Sequence, residues 1–374
     1  MGTNRLIYFR TDGNSQIASG HLVRCFSVAL SCLQLGLKVC FLISDEDSND
    51  LLTRILGSHP APSVLNDCEN NFSIMRLKTA AFDHPDQELP EVLSLLTSNT
   101  TSAVYFLDSY YVTESYLQAL RPLIKIAYLD DLKLFDYPVD LLINYDIIPD
   151  TAMPAYRAAY QNAGKLFLGT AYTPLRSQFQ DKKACIRKQV SHLFITTGAS
   201  DPYHFCLKFI DKIIDSSFIL HILIGKFNTD KETLYRLARE LPYLILHENV
   251  SDMASLMQTC DLAVSAAGTT LYELCALGIP TISFTIADNQ LSSAQAFEEI
   301  GLIPCAGDMR SNPEAVLQSA ADFVTSMSYN AKDKLADAAS LSPSYTKRVS
   351  VHTRMCHLID GKGAYRIALA LKSL

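Results

Sequence analysis

Three signatures of common enzyme chemistry are missing from this chain of 374 residues. No Gly-x-Gly-x-x-Gly run and no Walker lysine motif occurs, which argues against hydride transfer on a dinucleotide and against ATP hydrolysis. Gly-x-Ser-x-Gly is absent too, which argues against a serine hydrolase. The ten cysteines include no Cys-x-x-Cys pair and no tight Cys/His cluster, so no zinc site is written in the spacing. Most lie in apolar contexts such as Val39-Cys40-Phe41 and read as reduced core residues of a cytoplasmic protein. A basic excess is also missing. Lys and Arg total 32 against 39 Asp and Glu, a net charge of −7, so no electrostatic footprint for nucleic acid exists. No apolar run approaches the roughly 18 residues of a membrane helix. The first apolar strand starts within a few residues of Met1, leaving no room for a signal peptide, and a cytoplasmic location is expected.

What is present is an ordinary globular composition, 48% hydrophobic and 19% charged, in a chain too long for one core. Short apolar runs alternate with helical periodicity from end to end. Candidate strands are 6–9, 38–43, 103–107, 125–129, 141–144, 166–168, 192–196, 220–224, 244–247, 262–265 and 281–284. Such alternation predicts an α/β protein of two doubly wound, parallel-sheet (Rossmann-like) domains facing each other across a cleft. The boundary is expected at Ala171–Arg176, giving domains 1–172 and 173–374. The last helical stretch, 364–371, is free to pack back on the first domain.

Strand 6–9 runs into the polar loop Arg10-Thr-Asp12-Gly-Asn-Ser-Gln-Ile-Ala-Ser19-Gly20-His21, after which Leu22, Val23, Phe26, Ala29, Leu30 and Leu33 recur at helical spacing. Free backbone N–H groups and the positive helix end favour an anion there, and a histidine so placed meets a phosphorylated substrate. A lone histidine at a helix start is also a common cap. Its company, with Gly20 before it and Arg24 three residues on, supports the catalytic reading. In the second half, Thr196-Thr-Gly198-Ala-Ser-Asp-Pro202 follows a strand as another glycine-bearing turn. Gly268-Thr269-Thr270 opens a helix with small residues and hydroxyls suited to a diphosphate, and Glu273 lies one turn on, suited to a ribose. A plain capped helix with an N-terminal Glu explains the same pattern. Asp288-Asn289-Gln290 ends a strand and reads as sugar recognition or as a helix cap. Leu107-Asp-Ser-Tyr110-Tyr111 offers a tyrosine to substrate or is turn chemistry. Asp130-Asp131 is adjacent on the chain, so its carboxylates point to opposite faces, against a paired-carboxylate or metal site.

Together these motifs resemble the UDP-2,4-diacetamido-2,4,6-trideoxy-β-L-altropyranose hydrolases of pseudaminic acid biosynthesis, which are similar to glycosyltransferases of GT-B architecture. The resemblance rests on Arg10-Thr-Asp12 with Ser15, Ser19–Cys25, Leu107–Tyr110, Asp130–Leu132, Ile143–Tyr145, Leu168–Arg176, Gly198–Pro202, Gly268–Leu274, Ala287–Gln290 and Ile359–Ala364. It implies release of UDP from a UDP-linked diacetamido trideoxy sugar by water, with inversion, in nonulosonic acid biosynthesis and with neither metal nor cofactor. His21 is then the general base, and Tyr110 and Asn289 position the substrate. Gly268, Thr269 and Thr270 hold the diphosphate and Glu273 the ribose, with Asp12, Ser19, Gly20, Arg24, Gly198, Asp288 and Gln290 completing the binding set. Ala18 and Ala199 stand where the family usually has glycine, and altered substrate tuning is expected of them. The alternatives are a GT-B transferase using a UDP-amino sugar and a non-catalytic nucleotide-sugar binding subunit. Spacing leaves the oligomeric state open.

Overall fold

The computed structural model describes residues 5–14, 16–17, 19–57, 71–98, 102–213, 218–328 and 342–374; Ser15 and Ala18 lie outside them. The chain divides into two compact units, Met1–Ser177 with Gly361–Leu374, and Gln178–Asp360. The division falls at 177/178 rather than 172/173, and the last fourteen residues belong with the first unit.

The first unit is a seven-stranded parallel sheet in the order β3-β2-β1-β4-β5-β6-β7. Its strands are β1 (Leu6–Arg10), β2 (Lys38–Ile43), β3 (Phe72–Arg76), β4 (Ala103–Leu107), β5 (Lys125–Leu129), β6 (Leu141–Asn144) and β7 (Lys165–Leu168). Between them run α1 (Gly20–Gln34), α2 (Glu46–Gly57), α3 (Leu89–Ser98), α4 (Glu114–Leu120) and α5 (Met153–Ala159). Central strands such as Val39-Cys-Phe-Leu-Ile43 are apolar on both faces because helices cover both, as a parallel sheet requires. The register aligns Arg10 of β1 with Leu107 of β4, so the loops after these two strands emerge side by side.

The second unit is a six-stranded parallel sheet in the order β10-β9-β8-β11-β12-β13. It comprises β8 (His192–Thr196), β9 (Ile219–Leu223), β10 (Leu244–His247), β11 (Leu262–Ala266), β12 (Thr281–Thr285) and β13 (Cys305–Asp308). Its helices are α6 (Phe205–Ile213), α7 (Lys231–Glu240), α8 (Met253–Gln258), α9 (Thr270–Leu277), α10 (Leu291–Glu299), α11 (Pro313–Ser328) and α12 (Pro343–Leu358). One sheet face is apolar, with Leu193, Ile195, Ile222, Val264 and Phe284 in one core with Phe205 and Phe209 of α6 and Val316 of α11. The other face carries a hydrogen-bonded row of imidazoles, His192 to His221 at 2.9 Å and His221 to His247 at 3.0 Å. Arg348 of α12 is buried, and its guanidinium donates to the carbonyls of Arg187 and Lys188, each at 2.8 Å, and of Met327 near the negative end of α11.

The chain then returns to the first unit as α13 (Gly363–Ser373), which packs along α1, and α1 is buried along most of its length between this helix and the sheet. Gly363 is required at that docking point, since a Cβ there would sit 2.6 Å from the backbone nitrogen of Thr173. Two strands escape the sequence pattern, β3 and β13, both at sheet edges. β3 is half exposed, and β13 contains Gly307 at φ +119° beside a register shift opposite β12, so neither shows a buried apolar run.

Candidate active site

The geometry of the first unit is set by the ends of β1 and β4. Asp108 follows β4, and its amide bonds the Arg10 carbonyl at 3.1 Å, which brings its side chain under the first turn of α1. His21 Nδ1 lies 2.7 Å from Asp108 Oδ1. Arg24, one turn further along α1, meets the same carboxylate in a fork, Nε to Oδ2 and Nη2 to Oδ1, both at 2.6 Å. Its other nitrogen donates to Asp131 at 2.8 Å and to the Tyr145 hydroxyl at 2.7 Å. Cys25 Sγ completes the shell at 3.4 Å from Asp108. Burial by itself would raise the Asp108 carboxyl, but the Arg24 guanidinium, and then His21, hold it well below the usual carboxylate range. Asp108 is therefore an anion at neutral pH and accepts the Nδ1 proton of His21. That assigns the tautomer and leaves Nε2, on the far side of the ring, with its lone pair and no hydrogen-bond partner among the described residues.

His21 forms part of the wall of a recess lined by Asp12, Ile17, Phe82, Asp108, Ser109, Tyr110 and Tyr111. The Tyr110 ring stands edge-on to the imidazole at 4.4 Å between centroids, and its hydroxyl donates to Asp131 at 3.3 Å. Burial pushes the Tyr110 phenol well up, and the Tyr145 phenol up to about 12, so both remain protonated donors. Ser19 and Gly20 begin α1 with no side-chain cap, and the space beside Gly20 is open.

Two expected binding residues are placed otherwise. Arg24 spends its guanidinium on Asp108, Asp131 and Tyr145, so it organises the site rather than offering itself to a substrate anion. Asp12 lines the recess, yet its carboxylate is committed to the Ser44 amide at 2.7 Å and to Arg10 at 2.5 Å; Arg10 is held in turn by Glu88 at 2.7 Å. Asp130 and Asp131 part company as their adjacency implied. Asp130 accepts from Tyr160 at 2.6 Å and Tyr137 at 3.2 Å inside the core, and only Asp131 reaches the site. Among the described residues no three His, Cys, Asp or Glu side chains converge as a metal ion would require.

In the second unit, the remaining expected residues follow three neighbouring strands at their carboxyl ends. Gly198, after β8, has φ +84°, a left-handed conformation that glycine adopts without strain. Gly268 and Thr269 follow β11, and Thr270 opens α9; Thr269 is exposed, and neither threonine hydroxyl has a partner among the described residues. Glu273 sits half-buried in the first turn of α9. After β12, Asp288 pairs with Arg310 at 2.6 Å, Gln290 accepts the Ile286 amide at 2.9 Å, and Asn289 is exposed. Asp201, in the Gly198 turn, caps α6 by accepting the amides of Phe205 at 2.8 Å and Cys206 at 2.9 Å. The sequence reading missed the partnership of Asp108 with His21 and the parts played by Asp131, Tyr145 and Phe82. A carboxylate at the end of the strand next to β1 was the available signal.

Compared with solved structures, the chain matches MurG of Acinetobacter baumannii over 99% of its own length and all of that chain, with a TM-score of 0.60 at 14% identity. It matches UGT89C1 of Arabidopsis thaliana, solved in complex with UDP, over 99% of both chains with a TM-score of 0.64 at 9% identity. The fold is GT-B. No family model matches the sequence. It is 25% identical to the spore coat polysaccharide biosynthesis protein SpsG of Bacillus subtilis over 58% of each chain. It is 25% identical to an uncharacterised protein of Methanocaldococcus jannaschii over 73% of this chain and 54% of that one. It is also 33% identical to the pseudaminic acid cytidylyltransferase and UDP-2,4-diacetamido-2,4,6-trideoxy-β-L-altropyranose hydrolase of Helicobacter pylori, over 36% of this chain and 25% of that one. The matches thus take in between a quarter and just under three-fifths of these relatives, to which this GT-B chain is distantly related. Among the described residues no helix is long and apolar enough to cross a membrane.

Proposed function

We propose that this chain is a nucleotide-sugar hydrolase that releases UDP from UDP-2,4-diacetamido-2,4,6-trideoxy-β-L-altropyranose, inverting the anomeric centre. The observation that carries the reading is the His21–Asp108 pair, in which His21 lines the recess and its Nε2 has no hydrogen-bond partner among the described residues. The partial similarity to the Helicobacter pylori enzyme supports the substrate.

In this mechanism a water in the recess gives its proton to His21 Nε2 as its oxygen forms a bond to the anomeric carbon. The bond from that carbon to the β-phosphate oxygen breaks, and UDP departs with the electron pair. Asp108 keeps the imidazole in its tautomer and stabilises the imidazolium that forms. Tyr110, edge-on to the imidazole, positions the sugar. UDP is already a good leaving group, so a positioned water, a base and oriented amides suffice. The start of α9 supplies those amides to the diphosphate, with the hydroxyls of Thr269 and Thr270, and Glu273 accepts from the ribose.

Proton and phosphorus NMR of the purified protein with this substrate, and with UDP-GlcNAc as control, tests the proposal. Release of UDP and a free sugar of inverted configuration from the first compound alone supports it. Bound UDP without turnover of either refutes hydrolysis and favours a transferase, in keeping with the transferases that share the fold, such as the spinosyn rhamnosyltransferase SpnG.

A further inference from the structure

The residues lining the recess around His21 are of two kinds: the polar Asp12, His21, Asp108, Ser109 and Tyr110, and the largely apolar Phe82, Tyr111 and Ile17. The Phe82 and Tyr111 rings meet edge to face at 5.7 Å, and Tyr111 is 41% exposed although it is a large aromatic. The turn explains the division. Ser109 Oγ accepts the Tyr111 amide at 3.2 Å, and successive tyrosines are thereby splayed, Tyr110 against the imidazole and Tyr111 against Phe82.

We propose that Phe82 and Tyr111 form a specificity wall that packs on the apolar edge of the substrate sugar and selects a C6 methyl over a C6 hydroxymethyl. The inference rests on the nucleotide-sugar reading above and adds the part of the sugar that this wall reads. Aromatic faces accept C–H groups with gain of buried area. The Phe82 and Ile17 side chains carry no hydrogen-bonding group, so a hydroxyl pressed against them loses water without replacement. An apolar wall discriminates against one added hydroxyl by no more than about 100-fold, which sets the scale of the effect.

The test compares UDP-2,4-diacetamido-2,4,6-trideoxy-β-L-altropyranose with its 6-hydroxy analogue, measuring kcat/KM for UDP release and, separately, the dissociation constant by calorimetric titration. Wild-type protein should prefer the 6-deoxy compound by roughly 10- to 100-fold. Phe82→Ala and Tyr111→Ala should each bring the two compounds much closer together, through the KM of the deoxy substrate and with kcat little changed. Neither side chain belongs to the His21–Asp108–Arg24 network, and Phe82→Leu should restore part of the preference. An undiminished preference in both alanine variants, or none in the wild type, overturns the wall and leaves the hydrolysis proposal standing. A wild type that binds with the expected preference yet releases no UDP overturns hydrolysis and leaves the wall standing.

Discussion

The carboxyl ends of the two sheets handle polar groups in opposite ways. Behind β1 and β4 of the first unit, the charges are buried and answered. Arg24 is 7% exposed and Asp108 1%, and every nitrogen of the Arg24 guanidinium has a partner. Behind β11 and β12 of the second unit, some groups are left open. Thr269 and Asn289 are exposed, and the hydroxyls at the start of α9 have no partner among the described residues. A buried, fully paired network gains little net stability over an apolar core, but it fixes the direction of each side chain. An open helix start holds nothing fixed and keeps its amides for an anion. The first arrangement suits a group that must meet a reacting atom in one geometry, the second a group that must take up and release a ligand.

The comparison breaks most visibly at Asp108. Asp108→Asn leaves Arg24 buried with one carboxylate fewer, and the chain should lose about 3–5 kcal/mol in urea unfolding, with UDP release lost as well. Stability unchanged within 1 kcal/mol would mean that the network is not the anchor described. His21→Ala separates chemistry from folding, because Arg24 continues to hold Asp108. UDP release should fall by roughly 10²- to 10⁴-fold while the unfolding midpoint moves far less than in Asp108→Asn. Full activity in this variant would remove His21 from the role of base. In the second unit, Glu273→Ala should weaken UDP binding by about tenfold, the loss of one charge-assisted hydrogen bond. Undiminished affinity would withdraw the ribose assignment.

The smallest effect concerns acid. Burial, then the neighbouring His247 and His192, push the His221 imidazole from its ordinary 6.5 down to about 4. The unfolded chain therefore takes up this proton first. The contribution of neutral His221 is complete above pH 6.5 and is lost as pH falls from 6.5 towards 4. Asp108, held below the ordinary carboxylate value of 3.8, contributes above that value and loses its contribution only in stronger acid. Circular dichroism between pH 7 and 3 should show the second unit weakening before the first, and His221→Ile should flatten the earlier limb. An acid profile unaltered by that substitution would contradict the assignment.

Much of this fold is legible in the sequence, because parallel strands covered on both faces write continuous apolar runs. Strands β2, β4, β5, β6, β8 and β10 begin and end where their composition predicts. The edge strands β3 and β13 bury little and carry no such run. His21 was legible from its loop and from the helix behind it. Its partner was not, since 87 residues separate it from Asp108 and only the pairing of β1 with β4 brings them together. Arg24 illustrates the converse. An arginine one turn into a helix beside an anion site invites a phosphate, and spacing alone does not reveal that Asp108, Asp131 and Tyr145 already occupy it.

Central to the proposed reaction is a base in the first unit that directs water to carbon rather than to phosphorus. Reaction in ¹⁸O-enriched water followed by mass spectrometry of both products tests this most directly. Attack at carbon puts one ¹⁸O in the free sugar and none in UDP. Label in the UDP β-phosphate would place the attack at phosphorus and contradict it.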